Sequence, residues 1–311
     1  MRKVFLNYEE QIRKLVHEKQ LIIKDKEYAI EMLKRYSYYS LIGGYREKFK
    51  NPETKRYYAG TCFEDIVALY EFDEQLREIF LRYLLKIEGQ IKSHLSFYFC
   101  QKYGELQSEY LNPLNYNNIK KNCGDITKLI KTMSRFTSGK TDYQYINHAA
   151  RKYGNVPLWV LMNVLTFGNI SKMYLLSQCD IQTQIAKNYI GVSEKEMTNF
   201  LAFLTQFRNV CAHGERLFTH RTKIAIPTMT LHKKLNLPKR GKEYIFGKHD
   251  LFAVVIAMRY LLPSDWFRDF KKELTKVIKC YINKSKYFSE KQLLEFMGFP
   301  ENWKKITRYK K

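Results

Sequence analysis

Along most of this chain apolar residues recur three and four positions apart, and Pro and Gly are sparse, a pattern that predicts an all-α fold. Residues 8–19 carry Ile12, Leu15 and Val16 on one side, and residues 25–36 turn Ala29, Ile30 and Leu33 inward. Next comes an aromatic turn, YSYYSLIGGYREKF (36–49), broken by Gly43 and Gly44. The strongest periodicity runs over 63–104, where Ile66, Leu69, Tyr70, Leu76, Ile79, Phe80, Tyr83, Leu84, Ile87 and Ile91 share a spacing of three or four. One or two long helices ending near Gly104 are expected there.

Residues 105–140 are the least regular and predict a loop with one short helix over 126–136, followed by a helix over 142–153. The apolar run 157–166, opened by Pro157, reads as a helix. Gly168-Asn169 reads as an interruption before a second helix over 170–178. Ser193 followed by Glu196 fits a capping box that opens a helix over 194–213. The segment 223–250 is basic, is interrupted by Pro227 and Pro238, and has the look of a loop. Helices over 251–262, 264–282 and 289–297 follow, the last stopping at Gly298 and Pro300. No internal repeat, heptad run or linker divides the chain. The expected organisation is one body, 1–311: N-terminal helices (1–60), a core (about 61–222), and a basic loop with C-terminal helices (223–311).

Charge changes this picture. The chain has 54 Lys and Arg against 31 Asp and Glu, a net charge of +23 over 311 residues. Such a surplus creates a field that favours polyanions, RNA and DNA first among them, although a Lys-, Ile-, Asn- and Tyr-rich composition also inflates the Lys count. No recognition-helix signature favours DNA. Six scattered Cys (62, 100, 123, 179, 211, 280), with no C-x-x-C and no Cys/His cluster, argue against a zinc site and a disulfide scaffold. The N-terminal stretch MRKVFLNYEEQIRKL lacks the apolar core of a signal peptide, and the longest apolar run (157–167) is too short for a bilayer. A cytoplasmic protein without a membrane partner is expected.

The candidate chemistry lies in Arg208-Asn209-Val210-Cys211-Ala212-His213. A guanidinium can grip a phosphate through two parallel hydrogen bonds and stays charged at any relevant pH. An imidazole can take the proton of a ribose 2′-OH or return one to a leaving 5′-oxygen near neutrality. Asn209 and His213 fall on one helical face, with Arg208 about 100° away. These are the candidate catalytic residues for cutting RNA without a metal or other cofactor. By itself the spacing is weak, since 16 Arg and 7 His predict about a third of one such pair by chance. An Arg and a His at a helix end also satisfy free carbonyls and the negative end of the dipole, which is the competing reading.

Other residues are candidates of lower specificity. Arg216, His220, Arg221, Lys223, Lys233, Lys234, Lys239 and Arg240 are candidate RNA contacts, or else a solvated basic surface. Glu88 is expected to be solvated, with positioning of Arg208 as the alternative, and Asp65, Asp73 and Glu74 are expected to be solvated helix-face charges. His17, His94, His148, His232 and His249 have no ligand spacing. The Tyr and Phe side chains are mostly core at helical spacing; YSYY (36–39) and Tyr57-Tyr58, beside Arg and Lys, are the exceptions with base-stacking potential.

RNVCAHGERLF (208–218) resembles the signature of the HEPN superfamily, and more narrowly of the Abi family of abortive-infection proteins, the AbiD/AbiF group. Three further blocks resemble that family in order: SLIGGYREKF (40–49), LYEFDEQLREIFLRYLLKIEGQIKSHL (69–95) and PLWVLMNVLTFGNISKMY (157–174). GKHDLFAVVIAMRYLLP (247–263) is most similar to the AbiF-like branch. The resemblance implies a HEPN-type helical bundle with additional N- and C-terminal helices, and a metal-independent endoribonuclease of phage defence. It also implies a homodimer in which two copies of the Arg-x4-His helix face each other, and, for the AbiF-like branch, a small non-coding RNA partner. In the matching motif, Arg208 and His213 take the two family positions and Asn209 the polar position after the Arg. Many relatives carry a second His after the motif His, where this chain has Gly214. Two functions follow as expectations. One is RNA cleavage leaving 2′,3′-cyclic phosphate and 5′-hydroxyl ends; the other is a non-catalytic RNA-binding protein holding a structured RNA in a toxin–antitoxin-like complex.

Overall fold

The computed structural model describes residues 4–310; Met1–Lys3 and Lys311, part of the expected body 1–311, lie outside the described residues. Asn7 and Asp25 cap two short helices, α1 (Tyr8–Arg13) and α2 (Lys26–Tyr36). Each side-chain oxygen accepts a backbone N–H of the first turn, at 2.9 Å. α1 continues into a wider π-turn over Lys14–Glu18, and the aromatic segment folds as a π-turn (Tyr39–Gly43) and a 3₁₀ turn (Arg46–Phe49). The long periodic segment is one helix, α3 (Phe63–Tyr103), of 41 residues. Leu69, Leu76, Phe80, Leu84, Ile87, Ile91 and Leu95 along it are all buried.

The middle of the chain is more regular than its polar composition suggests. It holds α4 (Gln107–Tyr110), α5 (Cys123–Thr137) and α6 (Gln144–Tyr153). α5 forms because Ile126, Leu129 and Met133 recur at helical spacing and pack inward. The apolar run after Pro157 departs from expectation: it gives only one turn, α7 (Leu158–Leu161). Thr166 then restarts the chain as α8 (Phe167–Leu176), its hydroxyl accepting the Asn169 N–H while the Asn169 side chain accepts the Thr166 N–H. Gly168-Asn169 therefore lies in the first turn of a helix and not in a break, because Asn169 completes a capping box. α9 (Cys179–Ala186) follows, a helix marked inwardly only by Ile181, Ile185 and Ala186. α10 (Glu194–Ala212) opens on the expected Ser193/Glu196 box and packs against α3, α8 and α9.

The basic segment 223–250 is folded, not a plain loop. It contains α11 (Thr230–Lys234) and a minimal antiparallel hairpin, β1 (Lys239–Arg240) with β2 (Glu243–Tyr244). Fully buried His232 anchors it: Nδ1 accepts the Met229 N–H at 3.0 Å and Nε2 donates to the Gly247 carbonyl at 2.8 Å. α12 (Leu251–Leu261) is apolar almost all round and almost wholly buried, while α13 (Ser264–Lys284) lays one apolar face along α3. α14 (Glu290–Met297) ends on Gly298 at φ +78°, where a Cβ would also lie 2.5 Å from the Asp250 carboxyl. Asp250 caps α12, accepting the N–H groups of Ala253 (2.9 Å) and Gly247 (3.0 Å).

One buried carboxylate joins the distant parts. Asp73, expected in solvent, has no exposed surface. Its Oδ2 accepts the Tyr45 hydroxyl (2.6 Å), Arg77 Nη1 (2.9 Å) and the Leu217 N–H (2.9 Å), and its Oδ1 accepts the Phe218 N–H (2.7 Å). The reason is position: Asp73 shares the buried face of α3 with Leu69, Phe72, Leu76 and Phe80, so its charge is tolerated only with its lone pairs filled. Tyr45 also stacks on Phe218 with ring centroids 5.8 Å apart. Asp65 and Glu74 stay half-buried, Asp65 accepting the Cys62 N–H at the start of α3.

Asp73→Ala leaves the Arg77 charge and two buried N–H groups unpaired, and should cost about 3–5 kcal/mol in urea unfolding. A loss within 1 kcal/mol of zero would refute the role given to this carboxylate. Burial pushes the Asp250 carboxyl up to about 6, against the opposing pull of Arg221 and the backbone donors. A raised folded-state value means that the native state holds the proton more tightly than the unfolded chain, whose carboxyl titrates near 4. This contribution is therefore complete below about pH 4 and lost as pH rises through about 6, on the order of 2–3 kcal/mol in all. Asp250→Asn keeps the accepting oxygen, should match the wild type near pH 4 and should exceed it above pH 6 when urea midpoints are compared across the range.

Candidate active site

Phe200, Phe203, Leu204, Phe207 and Val210 bury one side of α10 and fasten its last turns to the core. Arg208, Asn209 and His213 consequently project from the other side. Arg208 is half-buried, and its Nε stands 3.4 Å from Glu88 Oε2. The other oxygen of Glu88 holds Lys92 Nζ at 2.8 Å, one turn further along α3. Glu88, expected to be solvated, is only 5 % exposed. It sits on the apolar face between Leu84, Ile87 and Ile91, and two cations compensate the burial of its charge. Among the described residues the Arg208 guanidinium has no other partner, so its outer nitrogens are left for an anion.

His213 is the last residue before the chain reverses. The Glu215 N–H returns to the Val210 carbonyl at 3.0 Å and the Gly214 N–H to the Cys211 carbonyl at 3.3 Å, closing the helix with Gly214 at φ +67°. This left-handed closure is the physical reason for a glycine at position 214. Asn209 and His213 are exposed, and no side-chain partner engages either among the described residues. Cys211, inside the motif, is no nucleophile: it is buried, and burial pushes its thiol up to about 12.

Further surface continues this face. Thr198, Ala202 and Gln206 precede Asn209 and His213 at spacings of three and four, so all five share one side of α10. The first three line a cleft of about 430 Å³ between α5, α8 and α10, into which Lys128 and the Asp125–Lys172 ion pair also face. The cleft thus lies on the side of α10 that also carries Asn209 and His213, its last α10 residue, Gln206, three positions before Asn209.

The eight candidate RNA contacts divide. Arg216 is exposed but donates to the Gly44 carbonyl, pinning the N-terminal turn. The His220 ring lies edge-on against Phe207, 5.0 Å between centroids, and burial lowers its proton affinity. Arg221 donates to the carbonyls of His220 (3.1 Å) and Phe296 (3.2 Å). These three therefore brace the post-motif loop against its surroundings. Lys223, Lys233 and Arg240 are exposed; Lys234 binds the Lys310 carbonyl at 2.9 Å, and Lys239 lies 4.6 Å over the Tyr244 ring. Among the described residues none of the eight shares a hydrogen bond or ion pair with Arg208, Asn209 or His213. Glu88 and Lys92, by contrast, belong to the site, and their signal was a carboxylate on an apolar helical face with a cation four residues on.

Among the described residues no helix is long and apolar enough to cross a membrane. No curated protein and no solved structure matches the chain. A protein family does: the one described as Abi-like protein matches residues 31–219, which spans the aromatic turn, α3, the Asp73 contacts and the Arg208–His213 motif. With well over half its length matched, this chain belongs to the Abi-like protein family, which supports a part in abortive-infection defence against phage.

Proposed function

We propose that this chain is a metal-independent endoribonuclease of the HEPN type, acting in the cytoplasm as a homodimer to damage RNA during phage infection. The observation that carries the reading is the Arg208 guanidinium, ion-paired at 3.4 Å with buried Glu88, with Asn209 and His213 open beside it on an exposed helix end. In this reading Arg208 grips the scissile phosphate and stabilises the charge gained in the pentacoordinate transition state, where a preorganised cation acts most strongly. His213 takes the proton of the attacking 2′-OH. As the P–O5′ bond breaks, His213 of a second copy protonates the leaving 5′-oxygen. Asn209 orients the phosphate or the imidazole. Cleavage leaves a 2′,3′-cyclic phosphate and a 5′-hydroxyl.

The homodimer is part of the proposal because one copy presents a single imidazole on an open helix face, whereas the reaction needs an acid and a base. A small non-coding RNA is the proposed regulator, recognised through the +23 net charge. If the protein only holds RNA, binding survives without products; this second reading is an outcome of the same assay.

His213→Ala and Arg208→Ala should each reduce cleavage of a labelled RNA in EDTA by at least about 100-fold while leaving the elution volume of the dimer unchanged. Cyclic phosphate ends should be mapped in the wild-type reaction only. Intact RNA in every reaction would leave the binder as the correct reading. Glu88→Gln removes the charge behind Arg208 but keeps its size. It should lower kcat by about 10- to 100-fold with little change in KM, as a misplaced transition-state group does.

A further inference from the structure

The N-terminal part of the fold carries a second basic surface that none of the motif residues lines. A cavity of about 450 Å³ is walled by Lys19, Arg46, Lys50 and Lys55, with Glu47 as the carboxylate among its lining residues. Glu47 pairs with Arg46 at 3.4 Å, so three cations remain without an acidic partner among the described residues. Lys50 is half-buried over the Tyr57 ring, 4.7 Å from its centroid. Burial, with Arg46 and Lys19 adding to it, pushes the Lys50 ammonium down to about 8. Like charges held this close, one of them partly desolvated, are a costly arrangement that an anion relieves.

Lys19 and Arg46 of this cavity also line an adjacent, larger groove of about 840 Å³. Its wall is aromatic. Tyr39 is 81 % exposed, yet its ring rests against Gly43, where a Cβ would lie only 3.5 Å from Cδ2. Tyr38 lies beside it, close enough to Arg46 for that cation to act on its hydroxyl. Gln11 also lines the groove, and its buried Oε1 has no hydrogen-bond partner among the described residues, an acceptor suited to a base N–H. A cationic pocket joined to an aromatic platform is the arrangement that single-stranded nucleic acid requires: phosphates against the cations and bases against rings.

We propose that this paired groove binds single-stranded RNA, with backbone phosphates in the Lys19–Arg46–Lys50–Lys55 pocket and a base stacked on Tyr39. The site goes beyond the cleavage reading and does not depend on it. The shared chemistry, a phosphate carrying a nucleobase, is also that of a free nucleotide, and the strand is favoured because phosphate pocket and platform are adjacent, sharing Lys19 and Arg46, and together span more than one nucleotide's worth of surface.

The test uses full-length protein and a labelled 12-nucleotide oligouridine methylated at every 2′-oxygen, so that no 2′-OH is available for cleavage. Affinity is read by fluorescence anisotropy from low to moderate salt. Lys19→Gln/Lys50→Gln should weaken binding at least about 10-fold and make the log–log salt slope shallower by about 1.4, near 0.7 for each lost contact. Tyr39→Ala should weaken it about 5-fold or more without changing the slope. Lys55→Asn, at an exposed position whose φ of +58° suits Asn, should lower affinity and slope without touching the fold. Circular dichroism checks each variant. Unchanged affinity and slope in the lysine variants overturns the proposal. Displacement of the strand by uridine monophosphate at micromolar concentration overturns the strand in favour of a free nucleotide, and equal displacement by inorganic phosphate overturns the stacked base. Failure here leaves cleavage at His213 untouched, and failure of cleavage leaves this binding intact.

Discussion

Everything around the Arg-His turn depends on Asp73, a carboxylate with no water around it. Its two oxygens draw Tyr45 from the N-terminal turn, Arg77 from the next turn of α3, and the backbone of Leu217 and Phe218 into one knot. Each partner satisfies a lone pair that burial has stripped of solvent, so losing one penalises the others. The loop after His213 has few apolar anchors of its own; Leu217 and Phe218 are buried, and the residues between them and the motif are exposed. Without the knot the helix end carrying Arg208 and His213 would be free to fray. With it, the chain leaves α10 along one fixed path.

Glu88 does for Arg208 what Asp73 does for the loop. Both stand on the apolar face of α3, fifteen residues apart, and both have a cation one turn on, Arg77 and Lys92. α3 thus delivers two buried carboxyl groups to the side of α10, and burial raises the proton affinity of the Asp73 carboxyl against the pull of its four donors. One holds the backbone after the motif and the other the motif cation. A salt bridge at such a depth is weak support for stability in its own right, since desolvation offsets the attraction. Its consequence is electrostatic: a buried carboxylate 3.4 Å from Nε favours the guanidinium at this end of α10, although no hydrogen bond joins the two atoms.

The helices were legible in the sequence because periodicity, caps and stop signals agreed over α2, α3, α10, α12 and α13. The run after Pro157 was misread because apolar content alone cannot tell a long helix from a turn and a restart; the decisive groups were the Thr166 hydroxyl and the Asn169 amide. The basic segment 223–250 was read as a loop because its order comes from His232 and Asp250, whose partners are backbone groups that no residue pattern reveals. Arg208, Asn209 and His213 stood out by spacing and chemistry. Their supports do not, since in sequence Asp73 and Glu88 look like any other solvated helix charge. A carboxylate in phase with an apolar stripe and followed four residues later by Arg or Lys is the signal that would have separated them from Asp65 and Glu74.

The same knot also fixes how the N-terminal turn relates to the motif. Tyr39 and Arg46 border the aromatic and basic groove, while Gly44 and Tyr45 between them are gripped by Arg216, Asp73 and Phe218. A ligand in that groove can alter the motif only by binding one arrangement of this turn better than another. The alternative arrangement would have to take Tyr45 off Asp73, leaving a buried carboxylate short of a donor and a buried ring unstacked, each a cost of one to several kcal/mol in order of magnitude. A ligand with little differential affinity cannot meet that cost, so it leaves the Tyr45–Asp73 contact as it stands. An occupant of the groove that favours neither arrangement therefore leaves the path of the chain after His213 unchanged, because Asp73 keeps its hold on Leu217 and Phe218.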